Sequence, residues 1–228
     1  MKKIIVIVLL SIIALGIFAS LQQIPFGKSK SKVGKYYLQK SQEETGASNV
    51  VTSVVVGYRG FDTLGEITVL FLATIGLGAV LATFKKKENG QPEKASLILT
   101  TGCRFLFPLI LLFGSYIFIF GHLSPGGGFQ GGAVIASAFL LIYLGCRGKR
   151  VNKVGSSVLE SLGGLVFIVL GLVGLTLGGH YYLSNFLPKG EYNTLFSAGI
   201  IPLIYIAIGL KVGSELSGII DLMMEETR

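Results

Sequence analysis

Charged residues are scarce in this 228-residue chain, 14% of the total, where ordinary soluble domains carry roughly 25%. So little polar surface cannot clothe a water-facing globule, and a soluble enzyme is excluded. Tryptophan is absent and proline is limited to six residues. Only two cysteines occur, Cys103 and Cys146, both inside apolar runs and outside any CxxC spacing. They imply no disulfide framework, iron–sulfur centre or zinc site, and read as inert packing residues. No GxxxxGK[ST] string is present, which disfavours nucleotide binding. No nucleophile–base constellation and no metal-ligand spacing occurs either, so no cofactor is expected and the chain by itself is not expected to be an enzyme.

What the chain has instead is apolar bulk: 51% hydrophobic residues and a mean hydropathy of +0.70. Its 32 glycines lack the three-residue period of collagen. They suit membrane helices that approach one another through small residues. A spanning helix needs about 20 mostly apolar residues. Segments 4–21, 61–84, 97–120, 128–146, 158–179 and 195–212 meet or nearly meet that length. The expected fold is therefore all-α, a polytopic integral membrane protein with about six transmembrane helices. The first segment resembles a signal peptide, with Lys2 and Lys3 ahead of it and Ala19 and Ser20 at its end. It reads as a retained anchor helix.

The formal charge of +8 does not point to nucleic acid, because the basic residues sit between apolar runs without interleaved stacking aromatics. It reads as topology information and contact with anionic lipid. With the N-terminus inside, Lys2, Lys3, Lys85, Lys86, Lys87, Lys94, Arg104, Arg147, Lys149, Arg150, Lys153, Lys211 and Arg228 share one side. Lys28, Lys30, Lys32, Lys35, Lys40 and Arg59 gather in one segment on the other. Both termini are expected in the cytoplasm. The polar stretch 22–48 reads as an exposed arm, a partner-docking segment or a solvated linker. The apolar run 50–56 is too short to span and belongs at the interface or against neighbouring helices. Residues 85–94 form the clearest linker and divide a two-helix segment, 1–90, from a four-helix segment, 91–228.

Several polar groups stand where a bilayer resists them. Asp62 and Glu66 are four apart, so on a helix both carboxylates leave one face. Desolvation and a like-charged neighbour favour a protonated Glu66 able to exchange a proton, whereas the helix N-terminus and Arg59 favour an ionised Asp62. The pair could relay protons or coordinate Na⁺. Alternatively, Asp62 caps the helix and Glu66 pairs with a basic residue. Glu66 is expected in a dry, ion-reachable place among packed helices. Gly121–Gly132 (GHLSPGGGFQGG) is dense in glycine yet flanked by membrane helices. Irregular backbone at membrane depth survives only when buried in protein or lining a wet cavity. His122 there suits proton shuttling, and a tight structural turn with a packing seam at Gly128, Gly132 and Ala136 competes with that role. Gly164, Gly171 and Gly178 repeat every seven residues and read as packing. Lys211 could snorkel to the interface, or pair with Glu215 on its own helix or with Glu160 from another. His180 precedes two tyrosines, as in an interfacial aromatic belt.

Residues 121–132 resemble the characteristic motif of the B subunit of Mrp-type multisubunit Na⁺/H⁺ antiporters, and Gly209-Leu210-Lys211-Val212-Gly213 is similar to that subunit's last helix. This resemblance covers residues 95–228 and is highly specific. Arg59–Glu66 (RGFDTLGE) resembles a motif near the C-terminal end of the A subunit, over residues 1–90. The A-type pattern has an acidic residue two before the Arg, where Gly57 stands here. Such pieces also occur in membrane-bound hydrogenases and related respiratory complexes. The resemblance implies a non-redox accessory subunit in a prokaryotic cell membrane. It would sit beside a large proton-pumping subunit, a small C-like subunit and other accessory subunits, with hydrogenase or respiratory subunits in some hosts, and would help exchange H⁺ for Na⁺. By motif match it carries over Asp62 and Glu66, with Arg59 and Gly65 as framework. From the B-type motif it carries over His122, Pro125 and Phe129, with Gly127, Gln130 and Gly132 as framework. The alternative is a pure scaffold subunit that holds a complex together through its glycine-rich faces.

Overall fold

The structure is a computed structural model that describes residues 2–23, 32–81, 95–146, 152–178 and 181–226. Among these, every regular element is helical: α1 (Lys2–Gln23), α2 (Lys32–Thr45), α3 (Val50–Thr52) running into a π-helix (Ser53–Tyr58), α4 (Gly60–Leu81), α5 (Leu97–Ile119), α6 (Gly128–Gly145), α7 (Lys153–Leu177) and α8 (Ile201–Glu226). Six of them, α1 and α4 to α8, are long and apolar enough to cross a membrane. The chain divides into two compact units, residues 1–36 and 37–228. The first holds α1, whose 22 residues span about 33 Å at 1.5 Å per residue, enough for a bilayer core.

In the second unit α8 is the central helix and touches α4, α5, α6 and α7. Glycines let it do so. A Cβ on Gly132 of α6 would meet Gly213 N at 2.9 Å and Gly209 O at 3.0 Å, and one on Gly163 of α7 would meet Ala207 O at 2.6 Å. Backbones at that distance collect many small dispersion contacts, which drive helix association where no hydrophobic effect operates. The expected seam at Gly128, Gly132 and Ala136 is therefore present, with all three residues buried. On α7 and its C-cap the tight contacts fall at Gly163, Gly171, Gly174 and Gly178, so the seven-residue repeat catches two of the four. The apolar centre is built by Ile200, Ile204, Ile208 and Val212 of α8 and its approach, with Phe167 of α7 and Ile67 of α4.

Within stretch 22–48, residues 32–45 form α2, which is mostly exposed but buries Ser41 and Thr45. Thr45 Oγ1 lies 2.7 Å from Ser53 Oγ of the π-helix, and the Tyr37 and Tyr58 rings stack at 4.7 Å. The last membrane helix is not 195–212 but Ile201–Glu226. Residues before 201 turn irregularly, with Asn193, Ala198 and Gly199 at positive φ. Asn185 holds that turn by accepting from Ile200 N at 3.2 Å. The polar residues Glu215, Ser217 and Asp221, which with Ser214 lower the hydropathy, are carried inside the helix because the neighbouring helices bury them. Lys211 consequently lies mid-helix and cannot snorkel to an end. The run 50–56 packs against neighbours through Thr52, Ser53 and Val56, which are nearly inaccessible, while Val51 stays exposed. The linker 85–94, Arg147, Lys149, Arg150 and His180 lie outside the described residues.

Candidate functional site: a buried charge cluster and the glycine-rich turn

Two adjacent turns of α8 place Lys211 and Glu215 on one face, the arrangement in which i,i+4 side chains meet. Lys211 Nζ donates to Glu215 Oε2 at 3.0 Å and stands 4.0 Å from Glu160 Oε1 of α7. It also lies 5.1 Å from the centroid of the Phe71 ring of α4, a cation–π distance. Thr74 of α4 hydrogen-bonds to Glu215 Oε1 at 3.0 Å. Three helices thus supply one ammonium, two carboxylates and a hydroxyl. The Glu215 side chain is wholly inaccessible, that of Lys211 8% exposed and that of Glu160 24%. An isolated charge at the centre of a spanning helix costs roughly 2.5–3.5 kcal/mol, and pairing offsets that cost here. With all three groups ionised, the cluster carries one more negative than positive charge.

Two clefts open onto this cluster. One, of about 220 Å³, is lined by Thr74, Ser156, Glu160, Ser214, Glu215 and Asp221. The other, of about 390 Å³, is more apolar and reaches Glu160 and Lys211 between Leu64, Ile67, Phe71 and Phe167. Glu160 lines both. A carboxylate in that position can exchange a proton or attract a cation from either cleft, while the lysine limits how much negative charge accumulates. Among the described residues, no group of three or more His, Cys, Asp or Glu is arranged to hold a metal ion.

The glycine-rich turn sits elsewhere. Phe120–Gly127 leaves the α-helical ladder, and the carbonyls of Gly121, His122 and Ser124 are satisfied from the segment ahead of α4. Asn49 Nδ2 donates to Gly121 O and Ser124 O, both at 2.9 Å. Thr52 Oγ1 donates to Gly121 O at 2.7 Å, and Tyr205 OH of α8 donates to Thr52 Oγ1 at 3.0 Å. Asn49 also caps α3 through its side-chain oxygen. A Cβ on Gly126 would meet Ile117 O at 2.6 Å, so the turn requires its lack of side chains there. His122 is fully buried and neither ring nitrogen has a hydrogen-bond partner. Burial pulls its pKa below the ordinary imidazole value. The carbonyls of Thr194, Leu195 and Ile119 oppose that pull, but none reaches hydrogen-bond geometry, so burial wins. Phe129 packs against the core, Gly127 and Gly132 are buried, and Pro125 and Gln130 are exposed.

The RGFDTLGE segment opens α4. Arg59 Nε and Asp62 Oδ2 are 2.6 Å apart, both side chains being more than half exposed. Asp62 lies in the first turn rather than at the cap, where an acid still interacts favourably with the helix dipole. Glu66 and Gly65 are exposed, so within this chain Glu66 is not among packed helices. Of the five proposed ion-path residues, the structure brings Lys211 and Glu160 together and leaves Asp62, Glu66 and His122 apart. Sequence reasoning did not select Glu215, Thr74, Asn49 or Thr52 as site residues. The signal for Glu215 was its i,i+4 relation to Lys211. The signal for Asn49 and Thr52 was only their place before an apolar run.

Comparison with known proteins fixes the family. A domain family related to the MnhB subunit of the Na⁺/H⁺ antiporter matches residues 98–218, more than half of the chain. The chain belongs to the MnhB-related family. A second family, the E subunit of MBH, matches residues 26–95. The fold of this MnhB-related chain is similar to a chain of the membrane-bound sulfane sulfur reductase, an archaeal respiratory membrane complex. The TM-score is 0.81 at 49% identity, over 98% of each chain. It is also similar to a chain of the Mrp complex from a Dietzia species, with a TM-score of 0.77 at 25% identity. That match takes in 100% of this chain but only 26% of the Dietzia one. The B subunit of the Na⁺/H⁺ antiporter of Alkalihalophilus pseudofirmus is 35% identical over 128 residues, 51% of this chain and 88% of its own.

Proposed function

We propose that this protein is a non-redox accessory subunit of a cation/proton antiporter module, embedded in a prokaryotic cell membrane within a larger respiratory or hydrogenase-type complex. The Glu160–Lys211–Glu215 cluster is its ionisable centre, and one observation carries this reading. A lysine and two carboxylates are gathered among three helices long and apolar enough to span a membrane, with one carboxylate lining two separate clefts. The family match, the similarity to chains of two multisubunit complexes and the six apolar helices support the setting. The large proton-pumping subunit, a small C-like subunit and other accessory subunits are its partners, with Na⁺ and H⁺ as the ions exchanged. Both termini lie in the cytoplasm, a reading supported by the distribution of Lys and Arg. The division near residue 90 separates an A-type tail from a B-type body, supported by family matches that end at residue 95 and begin at residue 98.

The deciding experiment replaces Glu160 by Gln in the assembled complex and measures Na⁺-coupled proton exchange in inverted membrane vesicles. The exchange is expected to be lost while the complex still assembles; normal exchange rejects the proposed role. The second reading, a scaffold, is favoured by the close backbone contacts at Gly131, Gly132 and Gly163. On that reading Gly132→Leu disrupts assembly and the acidic substitutions are silent.

A further inference from the structure

The sequence offers Cys103 and Cys146 as inert packing residues, and the structure places them side by side. Cys103 of α5 and Cys146, the residue that ends α6, hold their Sγ atoms 3.1 Å apart although 43 positions separate them in the chain. A bonded S–S distance is about 2.05 Å, so a displacement of about one ångström joins them. Both helices fix the pair. Gly145 leaves room for it, since a Cβ there would stand 2.5 Å from Cys103 Sγ. Thr100 of α5 donates to Gly145 O at 3.0 Å, and Cys146 N donates to Ile142 O at 2.7 Å. The Cys103 thiol points back to Thr100 O at 3.2 Å. Access is unequal: Cys103 is fully buried and Cys146 is partly exposed.

We propose that Cys103 and Cys146 are a redox-responsive dithiol that closes to a disulfide, stapling α5 to the end of α6. The oxidant is a small organic disulfide. Cys146, as thiolate, attacks one sulfur of that disulfide; its S–S bond breaks and one thiolate leaves with the bonding pair. Cys103 then loses its proton and attacks Cys146 Sγ, expelling the second thiolate. Two protein thiols are oxidised by two electrons in all, one small disulfide is reduced to two thiols, and the two protons pass to the departing thiolates. Cys146 is the attacking thiol because a reagent can reach it. Cys103 is the resolving thiol because only Cys146 can.

The test treats the full chain, in membranes, with oxidised glutathione and then reads the thiols by alkylation and peptide mass. A Cys103–Cys146 linked peptide is expected, lighter by two hydrogens and restored to two free thiols by reductant. Two freely alkylated cysteines, or a glutathione adduct on Cys146 that never resolves, overturn the proposal. In Cys103→Ala the glutathione adduct on Cys146 is expected to persist, and in Cys146→Ser no adduct is expected on Cys103. Adduct formation on Cys103 in the latter variant overturns the assigned order of attack. Linkage between two copies of the chain instead of within one overturns the pairing itself.

Discussion

Replacing Lys211 by Met keeps the length of the side chain and removes the ammonium that pairs with both carboxylates of the buried cluster. The Glu215 carboxylate, wholly inaccessible, loses its partner at 3.0 Å, and Glu160 loses one at 4.0 Å. At an effective dielectric of ~20, each contact represents about 4–6 kcal/mol of gross attraction. Repulsion between the carboxylates and the original cost of dehydrating the lysine offset part of it. Breaking one partner out of a buried pair has a net cost of about 3–5 kcal/mol. Lys211→Met should therefore lower the unfolding midpoint of the detergent-solubilised complex, or deplete the subunit from it. Adding Glu215→Gln removes the stranded charge. The double variant should recover about 0.5–3 kcal/mol relative to the sum of the single changes, the range for residues in one network. Thr74 can still hydrogen-bond to the glutamine, which keeps the comparison clean. Thermal unfolding of the four proteins closes the cycle. If Lys211→Met is as stable as the parent and the double variant shows no coupling, the cluster is not the energetic unit described here.

Other outcomes follow from the same geometry. Glu66→Gln is expected to abolish Na⁺-coupled exchange in vesicles with assembly intact, and unchanged exchange removes Glu66 from the path. Asn49→Ala strands the carbonyl of Ser124, leaves Gly121 O with Thr52 Oγ1 alone and should destabilise the glycine-rich turn by about 1–3 kcal/mol, the desolvation penalty of an unsatisfied buried group, seen as a lower unfolding midpoint. Gly132→Leu drives a side chain into Gly213 N and Gly209 O, 2.9 and 3.0 Å from its Cβ. Overpacking of about 1–3 kcal/mol or more should separate α6 from α8 and reduce recovery of the complex on native gels. His122 is kept neutral by burial, so the folded state takes up its proton at lower pH than the unfolded chain does. The stability it contributes is complete above the ordinary imidazole pKa of about 6.5 and falls as pH drops through its lowered folded value. Denaturation midpoints between pH 8 and 5 should decline in the parent and flatten in His122→Gln.

How far the sequence reached is visible at particular residues. The six spanning helices were legible because length and hydropathy act locally, and the seam at Gly128, Gly132 and Ala136 was legible because a four-residue spacing fixes a helix face. The end of α8 was not legible. Hydropathy stops at Val212, where Ser214, Glu215, Ser217 and Asp221 begin, and only the neighbouring helices α4, α6 and α7 make those residues tolerable. Lys211 was recognised as a residue in need of a partner, and both of its candidate partners are in place. Thr74, 141 positions away from Glu215, could not be linked to it without the fold. Asn49 and Thr52 were hidden for the same reason. They complete a turn some 70 residues downstream, and nothing in a polar residue ahead of an apolar run reveals which carbonyls it will meet.

The separation of Glu66 from the buried cluster bears on how such a subunit works. Helical geometry turns 100° per residue. That sets Glu66 about 140–160° around α4 from Leu64 and Phe71, which line the cleft to Lys211. The two acidic sites therefore lie on opposite flanks of one helix, and among the described residues α4 stands between them. An exposed carboxylate about two turns into a spanning helix is costly against lipid, so the flank bearing Glu66 calls for a protein neighbour that supplies polar atoms or water. If both sites serve one exchange cycle, the route between them runs through that neighbour. Glu66→Gln and Glu160→Gln should then each stop exchange in the assembled complex. Cross-linking from an exposed position beside Glu66, such as Val69, should capture another subunit of the complex. Capture of lipid alone at that position would break the link between the two sites and leave the Glu160–Lys211–Glu215 cluster to act without Glu66.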